Sequence, residues 1–115
     1  MGDAVYETHV RKRVLESGQT NADRLHQMAV QYVRADAQAA ALRLIYDRLS
    51  EEEQGLVKRA RNRKAATKPK NADPVAYKLA TAFEALIGYL FLTEDENRMD
   101  EIIRLAFEAI ERGNP

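Results

Sequence analysis

Apolar residues recur along this chain at steps of three and four rather than two, the period of helices that turn one face toward a core. In the first segment Ala4, Val5, Val10, Val14 and Leu15 keep that spacing until Ser17-Gly18, where glycine predicts a C-terminal cap. Asn21 offers a side-chain acceptor to start the next helix, and Leu25, Met28, Ala29, Tyr32 and Val33 carry its stripe. An alanine-rich stretch predicts a third helix from Ala35 to Leu49, packed closely through its small residues. Ser50 and Glu53 stand three apart and predict a capping box for a fourth. Lys64 to Asn71 predicts a loop, after which Asp73-Pro74 supplies a cap and a first-turn proline for a long apolar helix to Leu92. A last amphipathic helix is predicted from Glu96 to Glu111, with Gly113-Asn114-Pro115 ending it. No strand alternation or internal repeat competes, so the expected fold class is all-α, a multi-helix bundle.

The 115 residues, 45% of them hydrophobic, predict a single domain over 1–115 that buries roughly two thirds of its unfolded surface. Cysteine is absent, which excludes disulfides, thiolate metal sites and cysteine nucleophiles, and fits a cytoplasmic address. No signal-peptide pattern opens the chain. Glu84 interrupts the longest apolar run, so no membrane partner is expected. Eighteen basic residues balance eighteen acidic ones, and any attraction to a polyanion must come from uneven placement.

Two acid-bearing apolar segments lie far apart: Gly2-Asp3-Ala4-Val5-Tyr6-Glu7, and Thr81-Ala82-Phe83-Glu84-Ala85-Leu86-Ile87-Gly88. A carboxylate among apolar residues is costly unless paired or bound to a cation, and the neighbouring glycine and alanine permit close helix approach. On helices Asp3 and Glu7 share one face, and Thr81 and Glu84 another, so two packed helices could present these oxygens to one ion. Mg2+ suits such a set, because it accepts one or two carboxylates and completes its shell with water and substrate phosphate. The plainer alternatives stay open. Asp3 and Glu7 also suit the N-terminal dipole of a solvated helix, and Glu84 could emerge on a polar stripe beside a basic neighbour.

The charge is uneven where it matters. Lys58, Arg59, Arg61, Arg63, Lys64, Lys68 and Lys70 form a run without an acid, while the remainder of the chain is net acidic. Such a run neutralises phosphates, and Asn62 and Thr67 could add positioning contacts. The alternative is a solvated helix end. No aromatic residue interleaves the run, so base-specific reading is not implied. His9 and His26 suit hydrogen-bonding or RNA-contacting roles better than catalysis, and the five tyrosines suit the edge of the core.

Gly2-Asp3-Ala4-Val5 resembles the core of the ribonuclease III signature, and Phe83-Glu84-Ala85-Leu86-Ile87-Gly88 resembles that family's second catalytic helix. Leu25-His26, Ala29-Val30, Tyr32-Val33, Ala37-Gln38-Ala39, Arg61-Asn62, Pro69-Lys70-Asn71-Ala72-Asp73 and Thr81-Ala82-Phe83-Glu84 narrow the resemblance to the Mini-ribonuclease III branch, a catalytic domain without a double-stranded-RNA-binding domain. The resemblance implies a homodimeric endonuclease that cuts double-stranded RNA with Mg2+, or Mn2+ in its place, and matures precursor 23S ribosomal RNA. It implies Asp3 and Glu84 as catalytic metal ligands, with Glu7 and Thr81 as outer candidates and Arg59, Arg61, Asn62, Arg63, Lys64, Lys68 and Lys70 on the RNA. It names no ribosomal-protein helper. Thr81 stands where the broader family has an aspartate, as in the Mini branch. The family signature extends several residues upstream of Gly-Asp, so the first helix is expected to lack its N-terminal part and an acid there. The expected dimer interface joins the first helix to the apolar helix bearing Phe83. The competing reading is a helical dimer that binds structured RNA without cutting it, and a third is a protein-interaction module.

Overall fold

Local chemistry sets most of the helix ends. In the computed structural model, which describes residues 1–63 and 73–113, α1 spans Gly2–Leu15, α2 Ala22–Val33, α3 Ala35–Ile45, α4 Glu51–Asn62, α5 Pro74–Leu92 and α6 Glu96–Gly113. Asn21 accepts from the Arg24 amide, and Asp73 accepts from the Val75 amide just ahead of Pro74. Ser50 and Glu53 form the reciprocal box, each side chain bonded to the other's backbone N–H. Gly18 has φ +84°, the left-handed geometry predicted for the end of the first helix. The described residues contain no strand. The predicted loop from Lys64 to Asn71, with Lys64, Lys68 and Lys70, lies outside the described residues.

The third helix is shorter than predicted. It ends at Ile45, and a single 3-10 turn, Tyr46–Arg48, leads into extended Leu49. Two acceptors explain the break: the Tyr46 carbonyl takes the Gln54 amide at 2.9 Å, and the Arg48 carbonyl takes Arg98 Nη2 at 2.9 Å. Both donors come from elsewhere in the chain. At the other end, α6 continues past Glu111 to Gly113.

α5 is the central element, packed against α1, α3, α4 and α6. By length and composition alone it could cross a membrane, contrary to the expectation drawn from Glu84: its 19 residues include a window of mean hydropathy 1.4. Enclosure by four helices accounts for that apolarity, since nine of its residues, from Ala76 to Leu90, are buried. Phe83 is wholly enclosed within the chain's own core, and the large exposed apolar residues of α5 are Val75, Phe91 and Leu92.

Aromatic packing fixes α1. The Tyr6 ring meets Phe83 edge-on at 5.1 Å, and Phe107 bridges Tyr6 and Tyr32. Tyr6 is thus inside the core rather than at its edge, and its hydroxyl donates to the Tyr32 carbonyl at 3.0 Å. Arg13 holds both Glu111 oxygens, at 2.9 and 2.7 Å, and lies over the Phe107 ring. A second tie joins α4 to α6, where Arg98 grips both oxygens of buried Glu53 at 2.9 and 2.7 Å.

Candidate active site

A glycine contact places the two predicted carboxylates together. A Cβ on Gly2 would lie 1.8 Å from the Glu84 carbonyl oxygen, a distance that no side chain tolerates. At Gly88 a Cβ would meet Gly2 N at 3.3 Å and its Cα at 3.5 Å. The start of α1 therefore rests backbone to backbone on α5, one residue before Asp3 and against the turn that begins at Glu84. Only glycine permits that approach.

Burial and charge then distinguish the acids. Asp3 keeps 71% of its side chain exposed. Its Oδ1 accepts from the Ala4 amide at 2.9 Å and pairs with the chain's amino group at 3.3 Å, and these partners, the amino group foremost, hold its carboxyl below the usual range. Glu84 is half-buried. Burial pushes its carboxyl up, the Gln38 amide opposes that rise, and the Asp3 charge adds to it. The two carboxylates thus sense each other across the α1–α5 contact.

The outer candidates are engaged locally. Glu7 accepts from Arg11 Nη2 at 2.9 Å on the exposed side of α1. The Thr81 hydroxyl donates to the Tyr77 carbonyl at 2.9 Å on the exposed surface of α5. His9 bonds the Val5 carbonyl at 3.0 Å and Asp100 at 3.3 Å, the hydrogen-bonding role expected of it, and His26 is exposed. Among the described residues no group of three or more acid, histidine or cysteine side chains gathers around one point.

Arg59, Arg61 and Arg63 are exposed at the C-terminal end of α4, with Asn62 among them and its amide oxygen 3.4 Å from Arg61 Nε. No acid pairs with these arginines among the described residues. A cavity of about 650 Å³ opens beside them between α3, α4 and α5, with Leu42, Val57 and Leu79 on its walls and Arg43, Lys58, Arg61 and Lys78 around them. Gln38 is the neighbour of Glu84 that the sequence left without a role. Its signal was a lone amide inside an alanine-rich helix, within the Ala37-Gln38-Ala39 fragment quoted for the resemblance.

An all-helical frame with one acid from α1 set against one from α5 is a ribonuclease III domain, and the family described as Ribonuclease III domain matches residues 1–95. The Mini-ribonuclease 3 of Symbiobacterium thermophilum is 47% identical over 113 residues, 98% of this chain and 87% of that protein. That of Enterococcus faecalis is 42% identical over 116 residues, covering 99% of this chain and 88% of the relative. A crystal structure of a Fusobacterium nucleatum protein aligns with a TM-score of 0.82 at 34% identity, over 93% of this chain and 85% of that one. The chain belongs to the ribonuclease III family, in its Mini-ribonuclease 3 branch, and is an endoribonuclease.

Proposed function

We propose that this endoribonuclease cuts double-stranded RNA with Mg2+, matures precursor 23S ribosomal RNA in the cytoplasm, and works as a homodimer. The observation that carries the reading is the Gly2 contact with α5, which sets Asp3 beside Glu84 from opposite ends of the sequence. The donor set fits the ion: two carboxylates and open surface leave room for water and for phosphate oxygens. When bound, Mg2+ supplies Lewis-acid stabilisation and a water of lowered pKa for in-line phosphodiester hydrolysis. Asp3 and Glu84 would hold it, Asp3 from the exposed side and Glu84 from the half-buried side. The arginines at the end of α4 grip backbone phosphate and set the duplex in register, contributing affinity without base reading. Selection of RNA over DNA follows from A-form shape and 2′-hydroxyl contacts. Two sites related by a twofold axis would each cut one strand and leave staggered ends.

The test is cleavage of a duplex RNA by the purified protein, with Mg2+ or Mn2+ and with chelator, against a duplex DNA of the same sequence. Glu84→Gln keeps the shape of the side chain and should lower cleavage by about two orders of magnitude or more while duplex binding persists. Full turnover in chelator, or by Glu84→Gln, would sink the assignment. Processing of a precursor 23S fragment at a defined position, in preference to an unrelated duplex, tests the substrate.

A further inference from the structure

The cavity of about 650 Å³ between α3, α4 and α5 has two kinds of lining. Its floor is apolar: Leu42, Val57 and Leu79 are buried members of the core, so the hollow is bounded by residues already packed. Tyr46, on the turn after α3, adds an aromatic ring, and its hydroxyl is shut off from solvent with no hydrogen-bond partner among the described residues. The rim is basic. Arg43 from α3, Lys58 and Arg61 from α4, and Lys78 from α5 are all exposed, and none pairs with an acid among the described residues. Asp47 is the single acid in the lining, so four cations edge the cavity against one carboxylate.

That combination defines a ligand. An apolar floor gives a bare phosphate or a metal ion nothing to rest on, and a rim of unpaired cations gives a neutral hydrocarbon no advantage. An anion joined to a flat apolar body uses both, and the volume lies within the range of roughly 300–1,000 Å³ common to small-ligand pockets. The position of the cavity selects among such anions. Lys58, Arg61 and Asn62 stand at three- and four-residue steps and share the side of α4 that lines it, while Arg59, between them in sequence, lies outside the lining. The cavity thus adjoins the surface proposed to hold duplex phosphate. We propose that it receives an unpaired nucleotide of the RNA substrate, with the base against Tyr46 and the apolar floor and the phosphate on the basic rim. The proposal rests on the reading of the α4 arginines as a duplex-binding surface. A paired base must leave its stack and its partner to enter, a cost that a bulged nucleotide has already met, so the cavity selects duplexes interrupted by an unpaired residue. Stacking on an aromatic ring tolerates any base, so the selection is for structure rather than sequence.

The experiment measures binding in chelator, so that no strand is cut, of two RNA duplexes that differ only in a single bulged 2-aminopurine nucleotide. The parent should bind the bulged duplex about 10-fold tighter than the paired one, the gain expected from one stacked base, and the emission of the probe should respond to binding. In Arg43→Ala/Lys78→Ala, both positions being exposed, helical content should be retained while the ratio of the two affinities falls to about one and the emission response is lost. Arg59→Ala, outside the cavity, should weaken both duplexes and keep the ratio. Equal affinities in the parent with unmoved emission overturn the cavity proposal alone. A parent that binds neither duplex overturns the duplex-binding reading, and the cavity proposal with it. A preference for the bulge that survives in the double variant places the unpaired nucleotide elsewhere and refutes the assignment. Adenosine 5′-monophosphate that binds the parent and not the double variant, while the bulge gains nothing, reassigns the cavity to a free nucleotide and refutes it equally.

Discussion

Glu84 carries the chemical cost of the site. Its folded-state pKa is raised above the ordinary 4.5, chiefly by burial and further by Asp3. A carboxyl raised in this way binds its proton more tightly folded than unfolded, so it opposes folding above its unfolded pKa and ceases to do so below it. Replacement of Glu84 by Gln should therefore raise the melting temperature of the metal-free protein at pH 7, and the gain should vanish as pH falls through 4.5. Melting curves in chelator across pH 4–8 check this, and a variant less stable than the parent at neutral pH contradicts it. Stability gained with activity lost is the pattern expected of a group kept for function. The sequence showed the acid in its apolar setting and the glycines beside it. It did not show Gln38, because a residue's tertiary neighbour across two helices leaves no local pattern.

Between elements, the geometry predicts unequal outcomes for two glycines that the sequence presents alike. Gly2→Ala drives a methyl into the Glu84 backbone, and the first turn of α1 must swing off α5 with Asp3. Displacement by an ångström or so costs about 10²-fold in rate, with a smaller effect on melting because the rest of α1 stays anchored by Tyr6 and Arg13. Gly88→Ala meets Gly2 at 3.3 Å and gains helix propensity, so its net cost should stay under about 1 kcal/mol. Equal cleavage rates for the two variants would contradict the contact. The Glu53–Arg98 tie predicts a different pH response. Arg98 holds the Glu53 carboxyl below its ordinary 4.5, so its stabilisation is present above that value and is lost as pH falls through the depressed one. Glu53→Gln should cost about 2 kcal/mol at pH 7, below the full cost of breaking a buried pair because Arg98 keeps its pairing with Glu101. That cost should shrink in acid, as measured by urea unfolding at pH 7 and pH 3. Caps at Asn21, Ser50 and Asp73 were legible because donor and acceptor lie within three residues. The break after Ile45 was not, since the donors that take its carbonyls, Gln54 and Arg98, lie eight residues on from Tyr46 and fifty on from Arg48.

Across the whole molecule, the proposed grip on RNA rests on charge and on the proposed twofold symmetry. The exposed arginines at the end of α4 lack acidic partners among the described residues, so each neutralisation, Arg59→Ala, Arg61→Ala or Arg63→Ala, should lower the slope of log affinity against log salt by about one unit or less and weaken unrelated duplexes alike. A parent-like slope in all three would remove phosphate contact from this surface. The fold class was legible from period alone, and the family from short motifs. The assembly surface was legible only in part, since pattern marks α5 as apolar without saying which residues its own core consumes. Phe83 is consumed, whereas Phe91 and Leu92 are 43% and 65% exposed at the end of α5, and Phe91 lines a groove together with Ala4 and Val5 of α1. A second copy seated there would double the phosphate contacts and set two Asp3–Glu84 pairs against opposite strands. Phe91→Glu, which leaves both carboxylates and all described arginines in place, should then convert the protein to a monomer that nicks duplex RNA poorly. Sedimentation run at the same protein concentration as the cleavage assay measures both properties. A parent that sediments as a monomer yet cuts both strands efficiently would end the dimer proposal, and a Phe91→Glu variant that remains dimeric would move the interface elsewhere.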